Sequence, residues 1–102
     1  MKEEFRDIEL VNNTDRHCFE MKVGENLAII KYKQNQNKMI LIHTEVPASL
    51  EGTGAPTAIV EKALAYLEKN HFSIIPQCPF VIAYIKRHPE WNRIVDTSMK
   101  NI

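Results

Sequence analysis

The chain has 102 residues, 44% of them hydrophobic, and its 13 basic and 13 acidic side chains cancel. That length suits one small domain over residues 1–102 and leaves room for one sheet and two or three helices, which argues against a doubly wound nucleotide fold or a barrel. The cancelled charge gives no overall electrostatic footprint for nucleic acid. No apolar run reaches the roughly 18 residues of a membrane helix. The start Met1-Lys2-Glu3-Glu4-Phe5 carries acids where a signal peptide needs an apolar core, and two cysteines make no disulfide framework. The expectation is a cytoplasmic α/β (α+β) domain, monomeric or weakly dimeric, with no nucleic-acid or membrane partner.

The first half reads as strands. Residues 8–11 form a short β candidate. Residues 17–23 alternate, with Cys18, Glu20 and Lys22 on one face and Phe19, Met21 and Val23 on the other, and Gly24-Glu25-Asn26 turns the chain. Residues 27–33 continue the pattern, Ala28, Ile30 and Tyr32 opposing Leu27, Ile29 and Lys31. The polar run 34–38 suits a hairpin turn. In residues 39–46, strict alternation places Met39, Leu41, His43 and Glu45 on one face and Ile40, Ile42, Thr44 and Val46 on the other.

The second half changes period. Over residues 56–70, Ile59, Val60, Ala63, Leu64 and Leu67 recur at helical spacing, with Pro56 at the first helical position. Residues 72–75 are a short apolar strand. Pro79 opens a second helix with Phe80, Val81, Tyr84, Ile85 and His88 on its buried stripe, ended by His88-Pro89. Trp91, Ile94 and Val95 pack back on the body. A strand, a helix and a strand in succession imply a parallel pair formed by the fourth and fifth strands, with a right-handed crossover. The expected architecture is an antiparallel meander followed by strand, helix, strand and helix in one mixed sheet.

The junction Val46-Pro47-Ala48-Ser49-Leu50-Glu51-Gly52-Thr53-Gly54-Ala55-Pro56-Thr57 carries most information. A strand enters a glycine-containing loop that opens a helix. Helix N-termini present unpaired N–H groups and partial positive charge to anions, and glycine lets a ligand approach the backbone closely. Such a loop is also an ordinary turn, and no Gly-Lys-Ser/Thr follows to support a Walker-type nucleotide site.

Three side chains suggest chemistry. Cys78 stands at the N-cap of the second helix, which favours a thiolate and makes it a candidate acyl acceptor or a small buried cysteine. His43 is a candidate general base or an inward-facing structural histidine. Glu45 shares its face and either orients it, takes a proton from an amine through water, or is an ordinary strand carboxylate. His17 and Cys18 fall on opposite faces, and His71 and His88 lack a second ligand at metal spacing, so no metal site is expected.

Ile42-His43-Thr44-Glu45-Val46-Pro47, Leu50-x-Gly-x-Gly, Ile59-Val60-Glu61-x-Ala63-Leu64, Ile75-Pro76-x-Cys78-Pro79-Phe80-Val81 and Tyr84-Ile85-x-Arg87-His88-Pro89-Glu90 follow one another in order. Together they closely resemble the short, YjdJ-type branch of the GNAT N-acetyltransferase superfamily, over residues 20–95. The resemblance implies a truncated GNAT fold that binds acetyl-CoA as cosubstrate between splayed fourth and fifth strands. It implies cofactor contacts from Val46, Gly52, Thr53, Gly54, Ala55, Pro56 and Thr57. Lys86 and Arg87 would hold a CoA phosphate, or simply complement the helix dipole. Tyr84 belongs to the core or reaches the cleft with its hydroxyl. His43, Glu45 and Cys78 would serve catalysis. The partners implied are a CoA thioester and an amine acceptor: a small molecule, a polyamine or a protein lysine.

The loop departs from that pattern. Glu51 stands where the superfamily usually has Arg or Gln, Thr53 where this branch is commonly basic or Gln, and Pro56 where Gly or Ala is usual. Each repulsive carboxylate–phosphate contact costs on the order of 1 kcal/mol, and a lost charge-assisted hydrogen bond adds ~1.5–3 kcal/mol. The alternative reading is therefore a weak or inactive acyl-CoA-binding or protein-interaction module.

Overall fold

Alternation in the first half folds into the expected meander. The structure, a computed structural model, describes residues 2–96. Its elements are α1 (Glu3–Arg6), β1 (Leu10–Asn13), β2 (Cys18–Val23), β3 (Asn26–Asn35), β4 (Lys38–Glu45), α2 (Ala55–Lys69), β5 (Ser73–Pro76) and α3 (Pro79–Arg87). The five strands lie side by side in chain order in one sheet. Strands β1 to β4 are antiparallel neighbours, and β4 pairs in parallel with β5. Tight two-residue turns join β2 to β3 and β3 to β4, with Gly24 and Gln36 in the left-handed region.

Helix α2 lies across β1 to β3, and α3 packs against β4 and β5. The apolar stripe of α2 and Val81 and Ile85 of α3 join Phe19, Met21, Ala28, Ile30, Tyr32, Met39 and Leu41 in one buried core. Both helices therefore cover one face of the sheet. The other face, with Lys22, Leu27, Lys31, His43 and Glu45, is open to solvent. After α3 a 3₁₀ segment, Pro89–Ile94, folds the chain back. Val95 bridges Ile74 in parallel, and Lys38 Nζ reaches Asp96 Oδ2 at 3.0 Å.

Three expectations change. Strict alternation along β4 fails at Ile42. Tyr32 pairs with Leu41 but Lys31 pairs with His43, so Ile42 is an extra residue, a β-bulge. Directly opposed residues share a face, so His43 and Glu45 lie with Lys31 and Ile29 on the open face, and Thr44 lies with Ile30 on the helix face. His43 and Glu45 do point the same way, but away from Met39 and Leu41. Second, Phe80 does not join the buried stripe of α3 and stays 37% exposed. Third, the four-residue α1 and the 3₁₀ turn Ala48–Leu50 stand where no element was expected.

Candidate active site

Strands β4 and β5 pair only from Lys38 with Ser73 to Leu41 with Pro76. At Leu41 they part. The Gln77 and Cys78 amides both donate to Leu41 O, at 2.9 and 3.0 Å, turning the chain away from β4 into α3. Pro79 at the first position of α3 has no amide to satisfy, and its fixed φ starts the helix. The bulge at Ile42 adds twist at the same level. Beyond it the end of β4, the loop and start of α2, and the start of α3 border a cleft of about 290 Å³ lined by Thr44, Val46, Glu51, Pro56 and Phe80.

Phe80 also borders a second hollow of about 80 Å³, shared with Thr57, Ala83, Tyr84, Arg87 and His88. The two form one groove from the end of β4, past the start of α2, to the end of α3. Tyr84 is buried in its wall, its ring 4.5 Å from that of His88. Burial, with the Glu61 charge second, holds the Tyr84 hydroxyl protonated above the usual phenol range.

The loop ahead of α2 is built around two glycines in left-handed conformations, Gly52 at φ +76° and Gly54 at φ +95°. A side chain at Gly54 would also meet the Lys2 stem, 3.2 Å from the position of a Cβ. Thr53 Oγ1 donates to Leu50 O and accepts the Ala55 amide at 3.2 Å. The Ala58 amide bonds Gly54 O, and Pro56 has none. Among the described residues the Gly54 and Thr57 amides at this helix start have no hydrogen-bond partner.

The expected site residues therefore divide. Val46, Pro56, Thr57, Tyr84 and Arg87 come together along the groove. Gly52, Thr53 and Gly54 shape the loop at its mouth. Ala55 is fully buried with its amide already bonded. Lys86 is exposed and is not among the groove's lining residues. Cys78 is buried behind the cleft, its Sγ 3.2 Å from Thr44 Oγ1.

His43 and Glu45 stand on the opposite face of β4, with His43 Nε2 3.6 Å and Lys31 Nζ 3.3 Å from Glu45 Oε1. Glu45 and Val46 border an open-face hollow of about 390 Å³ with Leu27, Ile29 and Pro47. Val46 thus borders both this hollow and the cleft. Sequence reasoning missed Thr44 and Phe80. The spacing of Phe80 is that of a core residue, and strict alternation puts Thr44 on the face opposite Leu41, which the bulge at Ile42 reverses.

The helices after β4 and β5 are those expected from the periodicity, and the parallel pairing of these strands ends at Leu41. The model of the GCN5-related N-acetyl-transferase family matches residues 18–94. The chain belongs to the GCN5-related N-acetyltransferase family. The solution NMR structure of a GCN5-like protein from Staphylococcus aureus is similar in fold, with a TM-score of 0.64 over 95% of this chain and 99% of that one. At 18% identity that likeness concerns the fold. Among the described residues of this GCN5-related domain no helix covers the sheet face opposite α2 and α3, where Glu45 and Val46 border the hollow. Among the described residues no helix is long and apolar enough to cross a membrane.

Proposed function

We propose that this domain is an acetyl-CoA-dependent N-acetyltransferase acting on an amine. The observation that carries the reading is the separation of β4 and β5 at Leu41, which opens the groove toward the start of α2. The thioester arm lies along β4 beyond Leu41. The Thr57 amide and Arg87 offer donors to the phosphates. The amine arrives from the open face beside Glu45 and Val46, where Glu45 and His43 take its proton directly or through water.

The groove suits two routes. In direct transfer the amine attacks the thioester. In the covalent route Cys78 accepts the acetyl group first and then passes it to the amine. The support for the covalent route is the 3.2 Å contact between Thr44, which lines the cleft, and the Cys78 sulfur buried behind it. Retention of full turnover by Cys78→Ala excludes it.

A second reading, a weak or inactive acyl-CoA-binding module, draws support from Glu51 and Pro56 in the lining of the cleft. Titration with acetyl-CoA followed by amide NMR, with transfer to a panel of amines, tests both. Shifts at Gly52, Gly54, Thr57 and Cys78 with turnover support the enzyme. The same shifts without turnover support the binder, and the absence of shifts removes both.

A further inference from the structure

Inserting Ile42 into β4 does more than bend the strand. It turns Thr44 onto the helix face, where its Oγ1 meets Cys78 Sγ at 3.2 Å across the parted strands. With unbroken alternation His43 would point there instead. Cys78 is the N-cap of α3, yet its sulfur makes no capping bond to the helix amides. The backbone holds the residue through Ile82 N–H to Cys78 O at 3.0 Å, and the side chain turns to Thr44. Thr44 lines the cleft while Cys78 lies buried behind it.

We infer that Thr44 is a positioning residue for Cys78, donating a hydrogen bond from its hydroxyl to the Cys78 sulfur during acetyl transfer. The inference rests on the covalent route above. In the first step the bond from Cys78 Sγ to the acetyl carbon forms and the bond from that carbon to the CoA sulfur breaks. The departing CoA sulfur takes up the proton released by Cys78. In the second step the amine nitrogen bonds the acetyl carbon, the bond to Sγ breaks, and the proton lost by the amine passes through water beside Glu45 and His43 to reprotonate the Cys78 sulfur. A hydroxyl donor strengthens its bond as Sγ gains negative charge, and it fixes the sulfur's direction of attack.

The test compares Thr44→Val, which keeps the shape and removes the hydroxyl, with Thr44→Ser, which keeps the hydroxyl. Iodoacetamide labelling of Cys78 at neutral pH is followed by peptide mass spectrometry. Steady-state acetyl transfer is measured on the same proteins. Thr44→Val is expected to slow Cys78 labelling and kcat each about tenfold, as loss of a hydrogen bond to a charged group implies. The KM for acetyl-CoA should stay within about twofold, and Thr44→Ser should restore both rates. Equal labelling in wild type and Thr44→Val overturns the inference. So does equal loss in both variants, or a wild-type Cys78 that never labels. Labelling needs neither CoA nor amine. Thr44-dependent labelling in a protein that transfers no acetyl group therefore overturns the proposed function and with it the role in transfer, whereas turnover with Thr44-independent labelling overturns the inference alone.

Discussion

His43 Nε2 lies 3.6 Å from Glu45 Oε1 on the open face of β4, while Thr44 between them turns the opposite way toward Cys78. One short strand segment thus offers proton acceptors to one side of the sheet and a hydroxyl to the other. Both members of the pair are about half exposed, His43 at 56% and Glu45 at 48%, and such pairs contribute little to stability. Their replacement should therefore report on chemistry. His43→Gln and Glu45→Gln are each expected to lower kcat with a small primary amine by about ten- to a hundredfold. The CoA dissociation constant and the urea midpoint should not move. Unchanged kcat in both variants removes the open face from the mechanism.

Glu51 lines the cleft with Pro56 and Thr44, and under the proposed function a carboxylate there would oppose the phosphates of a CoA thioester. Glu51→Arg reverses the sign at that point. At an effective dielectric between that of the protein surface and water, each such contact is on the order of 1 kcal/mol, so affinity should tighten at least several-fold. Isothermal titration with CoA at low and high salt checks both the size and its electrostatic origin, since screening should shrink the gain. An unchanged dissociation constant means that Glu51 does not face the phosphates.

Much of the fold could be read from residue types. Phe19 and Met21 against Glu20 and Lys22 report a half-buried strand, and the spacing of Ile59, Ala63, Leu64 and Leu67 reports a helix with one buried face. Both patterns depend on neighbours along the chain. The bulge does not, because it is a mismatch between β4 and its partner β3, and Ile42 carries no glycine or proline to mark it. That single residue inverts the faces of His43, Thr44 and Glu45. The loop before α2 was visible through its glycines, but the use of the Ala55 amide by Thr53 Oγ1 depends on a side-chain conformation that spacing cannot show. Phe80 has the spacing of a core residue, and the parting of β4 from β5 leaves it facing the groove.

The helix that carries the loop is held by its apolar stripe. Leu64 is fully buried within the core that Phe19 and Ile30 also form. Leu64→Ala removes that packing and leaves a cavity, which costs about 2–5 kcal/mol in comparable cores. Urea unfolding monitored by Trp91 fluorescence should show a lower midpoint with little change in slope. A loss below about 0.5 kcal/mol, the range of ordinary surface substitutions, would place α2 outside the cooperative core.

The end of α2 is tied to the returning chain by Arg93, which binds Glu68 through two nitrogens, NH2 at 2.8 Å from Oε1 and Nε on Oε2. The guanidinium also lies 4.8 Å from the Trp91 ring. Hydrogen bonding from Arg93 holds the Glu68 carboxyl below its ordinary value of 4.5. A carboxyl that is more acidic in the folded state contributes stability fully above its unfolded value and loses it as pH falls through the folded one. Wild type should therefore exceed Glu68→Gln in urea midpoint at neutral pH. The gap should persist down to about pH 5 and close as acidification proceeds below 4.5. Because both groups are solvent-exposed, the gap should also narrow in high salt. A difference that is constant from neutral to acid pH would mean that the carboxylate charge contributes nothing, and that Arg93 acts through Trp91 and the Glu90 carbonyl, to which its NH1 donates at 2.9 Å.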